Sequence, residues 1–254
     1  MENAAKIPGK RLLVFAAKLG YQTRAFREAA ERLGMELRFV TDRCGRLEDP
    51  WGDQAIPAHF EEPEAAAEMV IREMRGQGVD GVIALGDRPT VAAAYAARGL
   101  GVWHNHPAAV EACRNKERMC EVFRRAGLRV PWFGVLPLRP VPEPALRGVS
   151  FPCVLKPLSL SASTGVIRAD SREEFFQAAE RVRRLLDSPE VRATREANLD
   201  RMLVEGYIPG REASVEGLLT DGKLRVLAIF DKPEPLEGPY FEETIYVTPS
   251  RLAE

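Results

Sequence analysis

A lysine at the end of an apolar run is the first residue whose surroundings suggest chemistry. Lys156 follows the apolar residues 151–155 and precedes Pro157 and the small-residue loop 159–164. Such a lysine supplies a point charge for a phosphate group, and successive backbone N–H groups in a small-residue loop can form an anion-binding nest. A surface lysine followed by an ordinary loop explains the same residues, because the loop is not a Walker A sequence and has only Gly165 as glycine. Residue types alone leave both interpretations open.

Two glutamates seven residues apart form the second candidate feature. Glu205 and Glu212 flank an apolar edge and the turn formed by Pro209 and Gly210. A carboxylate can accept hydrogen bonds from both hydroxyl groups of a ribose. The extended backbone near Ile208 can pair with the edge of an adenine ring. A charged strand followed by a turn explains these residues somewhat better, so this segment alone does not establish a nucleotide site.

Composition and charge argue against several classes of function. The 254 residues are 45% hydrophobic and 29% charged, as in a soluble globular protein. The 36 basic residues are interleaved with 37 acidic ones, so no nucleic-acid-binding surface is expected. No stretch approaches the roughly 18 apolar residues of a membrane span, and residues 1–10 lack the apolar run of a signal peptide. We therefore expect a cytoplasmic protein without a membrane partner.

Cysteine and histidine spacing predicts neither a zinc site nor a cysteine nucleophile. The cysteines are widely separated and form no CxxC pair: Cys44, Cys113, Cys120 and Cys153. The histidines have loop-like surroundings: His59, His104 and His106. Cys113 and Cys120 lie seven residues apart in an apparent helix, so we expect them to share a buried face.

The first half of the chain alternates predicted strands with predicted helices. The strands are expected at residues 12–17, 36–41, 82–85 and 101–103. The helices are expected at residues 23–33, 63–75 and 89–98. This alternation predicts parallel βαβ units with right-handed crossovers.

The two strand-to-helix turns of this half differ in what they predict. Residues 16–21 lack the GxGxxG spacing of a dinucleotide site, so no nicotinamide cofactor is expected there. Residues 85–90 place Gly86 at the C-terminal end of a strand, where open α/β sheets hold ligands. A tight structural turn explains that glycine equally well.

The second half has a different pattern. One long helix is expected over residues 107–126, with Gly127 just past its end. The proline-rich residues 131–152 predict a stiff connector rather than a sheet core. Strands are then expected at residues 151–156, 165–169, 202–207, 212–219 and 224–230. A capping box at Ser171 and an Asp221-Gly222 hairpin turn complete a mostly antiparallel α+β pattern.

The order of these features resembles the ATP-grasp superfamily over nearly the whole chain. The match comprises Lys116 after Asn115, residues 151–157 with Lys156, and the pattern Glu-x-x-Ile-x-Gly-x-Glu at 205–212. The segment 101–105, Gly-Val-Trp-His-Asn, stands where the family has Gly-hydrophobic-x-x-Asn. The resemblance implies an α/β Rossmann-like pre-ATP-grasp domain at residues 1–113. An incomplete α+β ATP-grasp domain would follow at 114–254, with its lid subdomain at about 131–205.

The resemblance also implies a role for each matching residue. Lys116 would contact the α-phosphate or the adenine side, and Lys156, the catalytic candidate, would contact the α- and β-phosphates. The lid over the γ-phosphate would comprise residues 161–165, with Ser161, Ser163, Thr164 and Gly165 as its binding residues. Glu205 would receive the adenine amino group, Tyr207 and Ile208 would supply contacts to the base, and Glu212 would bind the ribose.

The implied activity is that of an ATP-dependent carboxylate-amine ligase, which forms an acylphosphate that an amine attacks. Residues 230–233 and 238–244 are most similar to ligases that join amino acids or related carboxylates to amines. The implied ligands are ATP, Mg²⁺, a small carboxylate and an amine; a homodimer is left open. The family's metal ligands lie in a later segment, so this chain, which stops at Glu254, is expected to be a fragment, and no residue is assigned to the metal.

Other functions stay open on the sequence alone. Within the ATP-grasp class, a biotin carboxylase-like enzyme acting on bicarbonate or a purine-biosynthetic enzyme would carry the same motifs. A noncatalytic ATP-binding fragment would also carry them. An oxidoreductase built on the N-terminal sheet is disfavoured by the missing glycine fingerprint.

Overall fold

The computed structural model describes residues 7–17, 21–42, 55–141, 143–234, 237–241 and 244–252. The chain forms two compact units, Met1–Met119 and Cys120–Glu254. Three features of the sequence lie wholly or partly outside the described residues: residues 18–20 of the first turn, Cys44, and residues 242–243 of the tail.

The first unit contains a parallel sheet of four strands in the order β3-β2-β1-β4. The strands are β1 (Arg11–Ala16), β2 (Glu36–Thr41), β3 (Ile56–Pro57) and β4 (Gly81–Leu85). The helices are α1 (Tyr21–Leu33), α2 (Pro63–Glu73), α3 (Thr90–Leu100) and α4 (Pro107–Arg114). The apolar run of β1 is fully buried at Leu13, Val14 and Phe15, which confirms a buried central strand.

The prediction of a strand at residues 101–103 is wrong. Gly101 is the left-handed cap that ends α3, with φ of 70°, and its backbone N–H bonds back to carbonyls of the last turn. A glycine after a helix serves this purpose because it reaches positive φ without a steric penalty. The residues that follow form no strand.

The single long helix predicted over residues 107–126 is also wrong, because it is interrupted at Asn115. Asn115 is extended, with φ of −127° and ψ of 112°, and its side-chain oxygen accepts a 3.1 Å hydrogen bond from the Arg118 backbone N–H. It therefore ends α4 and starts α5 (Lys116–Arg125). The break also separates the two cysteines, since Cys113 is exposed and Cys120 is buried.

The second unit contains an antiparallel sheet in the order β5-β8-β6-β7. Its strands are β5 (Phe133–Pro137), β6 (Cys153–Pro157), β7 (Ile167–Ala169) and β8 (Arg201–Gly206). The prediction that residues 131–152 form only a connector is wrong at β5, which is an edge strand. An edge strand tolerates Pro137 because it has only one hydrogen-bonded neighbour.

Helices cover the two faces of this sheet. On one face, Leu155 and Val204 pack against Phe175 and Val182 of α6 (Arg172–Leu186). On the opposite face, Leu203 packs with Leu158 and with Cys120 of α5. The short helix α7 (Pro189–Ala193) follows α6, and a 3-10 helix occupies Glu143–Gly148.

Local hydrogen bonds explain where α6 begins. Ser171 Oγ accepts a 3.2 Å hydrogen bond from the Glu174 backbone N–H, and the Glu174 carboxylate accepts a 2.8 Å bond from the backbone N–H of Asp170. This arrangement is the capping box that the sequence predicted, except that the bond to the glutamate side chain comes from the backbone N–H of Asp170 and not from that of Ser171.

The remaining strands form a separate hairpin of β9 (Ala213–Thr220) and β10 (Lys223–Asp231). Asp221 and Gly222 have φ of 49° and 75°, which confirms the predicted turn with two left-handed residues. The hairpin is anchored to residues 244–252, because the buried Asp231 accepts hydrogen bonds from Ser250 Oγ (2.6 Å) and the Arg251 backbone N–H (2.8 Å).

Among the described residues, no helix combines the length and apolar character needed to cross a membrane.

Candidate nucleotide-binding site

The candidate phosphate clamp, Lys156, lies one residue from the end of β6. It pairs in register with Leu203 of β8, so both side chains lie on the face of the sheet that Cys120 covers. The preceding strand residues are buried, which fixes the backbone that carries the lysine. The Lys156 side chain retains 26% exposure, so its ammonium reaches the surface at this face.

The structure brings Lys156 together with Glu205. Glu205 is opposite Val154 in the β6–β8 ladder, which makes it the diagonal neighbour of Lys156 on the same face. Lys156 Nζ is 2.5 Å from Glu205 Oε1, and the glutamate side chain is only 12% exposed. The ammonium group of Lys156 and the carboxylate of Glu205 therefore neutralise each other in a partly desolvated position. Each could instead bind a ligand group, the ammonium an anion and the carboxylate a hydrogen-bond donor.

Cys120 lies beside this pair. The Cys120 thiol is 5% exposed, and burial raises its pKa; the Glu205 carboxylate raises the pKa further, while Lys156 opposes the increase. The thiol is thus held neutral and acts as a small apolar contact, as the sequence predicted for this cysteine.

The loop after β6 has an unusual backbone. Ala162 and Ser163 have φ of 52° and 54°, and Gly165 has φ of 74°. Two turn hydrogen bonds close the loop, from Thr164 N–H to the Ser161 carbonyl (3.1 Å) and from Val166 N–H to the Ser163 carbonyl (3.0 Å). Left-handed non-glycine residues cost about 1–3 kcal/mol each and are concentrated at ligand clamps and switch regions.

Gly165 is also required by its neighbours. A Cβ atom at this position would lie 2.7 Å from Leu185 Cδ2 and 2.9 Å from Pro157 Cγ. The glycine therefore lets the loop return closely past the residue that follows Lys156. This contact fixes the C-terminal end of the loop, whereas Ser161 and Thr164 are exposed.

The segment after Glu205 continues β8 beyond its last paired residues. Gly206 N–H bonds to the Trp132 carbonyl (2.9 Å), and Tyr207 N–H bonds to the Pro152 carbonyl (3.2 Å). Ile208 follows with 68% exposure. A Cβ at Gly206 would lie 2.7 Å from the Trp132 indole nitrogen, so glycine is needed where the chain passes this ring.

The Tyr207 ring takes part in a contact that sequence reasoning missed. The Arg168 guanidinium lies 4.2 Å from the centre of the Tyr207 ring, and it also donates to the Glu237 carbonyl at 2.7 Å. Arg168 thereby joins β7, the end of β8 and residues 237–241. No motif in the sequence singles out this arginine, because the contact joins residues far apart in the chain.

Glu212 is not part of the Lys156 pair. Its carboxylate lies 3.0 Å from Lys232 Nζ, at the base of the β9–β10 hairpin. The Lys232 side chain is 12% exposed, and Glu212 is 48% exposed. No sequence pattern predicted a role for Lys232, although it belongs to the segment 230–233 that is similar to amino-acid ligases. The structure therefore divides the predicted nucleotide residues between two ion pairs.

Lys116 is the first residue of α5 and belongs to the first unit, whereas Lys156, Glu205 and Glu212 belong to the second. Asn115 positions Lys116 by capping the helix. Among the described residues, no group of three histidine, cysteine or acidic side chains is arranged to hold a metal ion.

Two family profiles match the sequence. A profile described as the ATP-grasp N-terminal domain matches residues 27–102, and one described as the ATP-grasp domain matches residues 149–254. The second range contains Lys156, the loop, Glu205 and Glu212.

Known proteins are similar to this chain over most of its length. The alanine–anticapsin ligase of Bacillus subtilis (strain 168) is 29% identical over 210 residues, which cover 77% of this chain and 43% of that protein. The crystal structure of an L-amino acid ligase from Bacillus licheniformis has a TM-score of 0.74 at 28% identity, covering 98% of this chain and 58% of that one.

A more distant structure shares the fold alone. The D-alanine–D-alanine ligase of Bacillus anthracis has a TM-score of 0.56 at 16% identity, covering 88% of this chain and 64% of that one. The chain thus spans about half the length of the relatives it matches.

Proposed function

The chain belongs to the ATP-grasp superfamily, and we propose that it binds ATP at Lys156 and Glu205 in an enzyme that joins a carboxylate to an amine. The observation that carries this proposal is the ion pair between Lys156 and Glu205 on neighbouring strands. Lys156 would bind the α- and β-phosphates, and Glu205 would accept a hydrogen bond from the adenine amino group.

The chemistry of the two side chains fits the nucleotide. The 2.5 Å contact means that each group already has a counter-charge. A phosphate can replace the carboxylate beside Lys156, and an amino group can replace the ammonium beside Glu205, so ATP would leave neither group unpaired. This exchange avoids the cost of leaving a buried charge without a partner.

The neighbouring segments would complete the site. Backbone N–H groups of residues 161–165 would close over the γ-phosphate, with Ser161, Ser163, Thr164 and Gly165 in the lid. Tyr207 and Ile208 would contact the base, Glu212 the ribose, and Lys116 the α-phosphate or the adenine side. Glu212 would have to exchange Lys232 for the ribose hydroxyl groups.

The proposed reaction has two steps. A substrate carboxylate oxygen attacks the γ-phosphorus, the bond to the β,γ-bridging oxygen breaks, and ADP leaves. An amine then attacks the acylphosphate carbon, inorganic phosphate leaves, and the nitrogen loses a proton. The contribution of Lys156 and the lid is positioning and neutralisation of phosphate charge, which dominates phosphoryl-transfer catalysis.

The names of the two relatives with the higher identities support an amino acid as one substrate. Both are ligases of alanine or L-amino acids. We propose a small carboxylate and an amine as substrates, Mg²⁺ as the ion that accompanies ATP, and a cytoplasmic location. The domain limits 1–113 and 114–254, the lid at about 131–205 and a homodimer stay predictions, and no metal ligand is assigned.

Replacing Lys156 by methionine tests the nucleotide assignment. The Lys156→Met protein should bind ATP about tenfold to a hundredfold more weakly, because a charge-assisted phosphate contact is lost. Calorimetric titration with ATP measures the change. Lys223→Met, at an exposed position on β10, is the matched control and should bind ATP like the unmodified protein. Unchanged ATP affinity in Lys156→Met would refute the assignment.

A further inference from the structure

A groove lies beside α6, on the side of the sheet opposite to Lys156. It has a volume of about 540 Å³. Its apolar lining comprises Leu138, Pro140, Val141, Phe176 and Ala179. Three charged side chains complete the lining: Arg139, Glu180 and Arg183. The volume lies within the range of roughly 300–1,000 Å³ that is typical of small-molecule sites.

The charged side chains around the groove form a hydrogen-bonded cluster with an excess of arginine. Asp187 accepts hydrogen bonds from Arg139, Arg183 and Arg192. Glu180 accepts from Arg183, with both of its oxygens, and from Arg184. The cluster thus contains four guanidinium groups and two carboxylates.

Both carboxylates of this cluster are ionised at neutral pH. The hydrogen bonds from Arg183 and Arg184 lower the pKa of Glu180 to about 2. The hydrogen bond from Arg192 lowers the pKa of Asp187, and the positive charges of Arg139 and Arg183 lower it further. Four positive and two negative charges leave a net charge of +2 beside the groove. Each guanidinium has five N–H donors in a planar fork, so two acidic side chains do not use the donor capacity of four arginines.

We propose that this groove binds a small molecule with an apolar body and a carboxylate group. Leu138, Val141 and Phe176 would contact the apolar body, and Arg139 with Arg183 would bind the carboxylate. The proposal follows from charge complementarity, since a carboxylate matches the planar donor fork of arginine and offsets the positive excess. The same arginines would repel a cation with an apolar body.

The site is independent of the proposed nucleotide site. The groove residues of α6 belong to the face of the sheet that carries Leu155 and Val204, whereas Lys156 and Leu203 lie on the opposite face. A ligand in the groove would therefore leave Lys156 and Glu205 accessible. Failure of ATP binding and failure of this proposal are consequently distinguishable in one protein sample.

Calorimetric titration with 4-phenylbutyrate tests the proposal, with 4-phenylbutanamide as the uncharged analogue. We expect saturable binding of the acid with one molecule per chain, and about tenfold weaker binding of the amide, because one charge-assisted interaction is lost. Saturating ATP should not displace the acid. Absence of saturable binding at millimolar concentrations, or equal affinities for acid and amide, would overturn the proposal.

Two substitutions should change the affinity in opposite directions. Arg139→Gln removes a carboxylate donor and should weaken binding of 4-phenylbutyrate about tenfold. Glu180→Gln removes a competing acceptor and should strengthen binding several-fold. Arg225→Gln, at an exposed position on β10, makes the same charge change as Arg139→Gln away from the groove and should leave affinity unchanged. Equal weakening by Arg139→Gln and Glu180→Gln would overturn the assignment, as would acid-dependent self-association in place of one-to-one binding.

Discussion

At the scale of single residues, Glu205 is the group whose charge should select the base. Its carboxylate can accept a hydrogen bond from the amino group of adenine, whereas guanine presents a carbonyl oxygen at the corresponding position. Glu205→Gln adds a donor that can face that carbonyl and also removes the partner of Lys156. We expect the preference for ATP over GTP to fall about tenfold, the effect of one charged hydrogen bond.

Competitive titration of the variant with ATP and GTP measures this preference. Glu216→Gln, on the exposed strand β9, makes the same chemical change away from the pair and should keep the original ratio of affinities. If Glu205→Gln weakens ATP and GTP equally, Glu205 only orients Lys156 and does not contact the base. If the ratio and both affinities are unchanged, the nucleotide binds elsewhere.

At the scale of elements, Gly165 tests how tightly the loop after β6 is fixed. Gly165→Ala combines a φ of 74° with Cβ contacts of 2.7 Å to Leu185 and 2.9 Å to Pro157. Gly127→Ala is a matched control, because Gly127 also has φ of 74° but has no neighbour within 4 Å. We expect the alanine at 165 to lower the free energy of unfolding by about 1–3 kcal/mol more than the alanine at 127, the usual cost of overpacking.

Urea unfolding followed by circular dichroism measures both variants. Since Pro157 follows Lys156, Gly165→Ala should also weaken ATP binding, whereas Gly127→Ala should not. Equal destabilisation by the two alanines would mean that the loop moves aside and that Gly165 is needed only for its backbone angle.

The elements also show which signals in the sequence were sufficient. The Asp221-Gly222 turn and the Ser171 capping box were predictable because a few adjacent residues determine their geometry. The apolar run that ends at Lys156 likewise predicted β6. The helix break at Asn115 had a local signal too, since asparagine is a favoured N-cap, but it lay within an otherwise continuous helical pattern.

Contacts between distant segments were not predictable in the same way. The pairing of Lys156 with Glu205 depends on the register of β6 and β8, which two separate apolar patterns do not specify. The edge strand β5 was hidden by its prolines, and Arg168 reaches Tyr207 only because β7 and β8 belong to one sheet. The residue types of the candidate site could therefore be predicted from the sequence, whereas their grouping into two ion pairs could not.

At the scale of the whole molecule, carboxylates held by hydrogen bonds make stability depend on pH. In each of the following pairs, a hydrogen bond from the first group lowers the pKa of the second group's carboxyl: Arg11 and Glu36, Lys10 and Asp80, Arg183 and Glu180, Arg192 and Asp187, and the Ser250 hydroxyl and Asp231. A lowered pKa means that the folded state binds protons less readily than the unfolded state. The stabilisation is complete above the ordinary carboxyl pKa of about 4 and is lost as the pH falls through the folded value, about 2 for Glu180.

We therefore expect the free energy of unfolding to change little through these groups between about pH 7 and pH 5, and to fall from about pH 5 to pH 2. Urea titrations across this range measure the slope, and Glu180→Gln should make it shallower because one of the shifted groups is removed. Glu216→Gln should retain the original slope. Because shifted carboxylates occur in both units, acid should weaken both; stability that stays constant down to pH 2 would mean that these ion pairs do not persist in solution. High salt should reduce the slope as well, since the paired groups are partly exposed and salt screens their interactions.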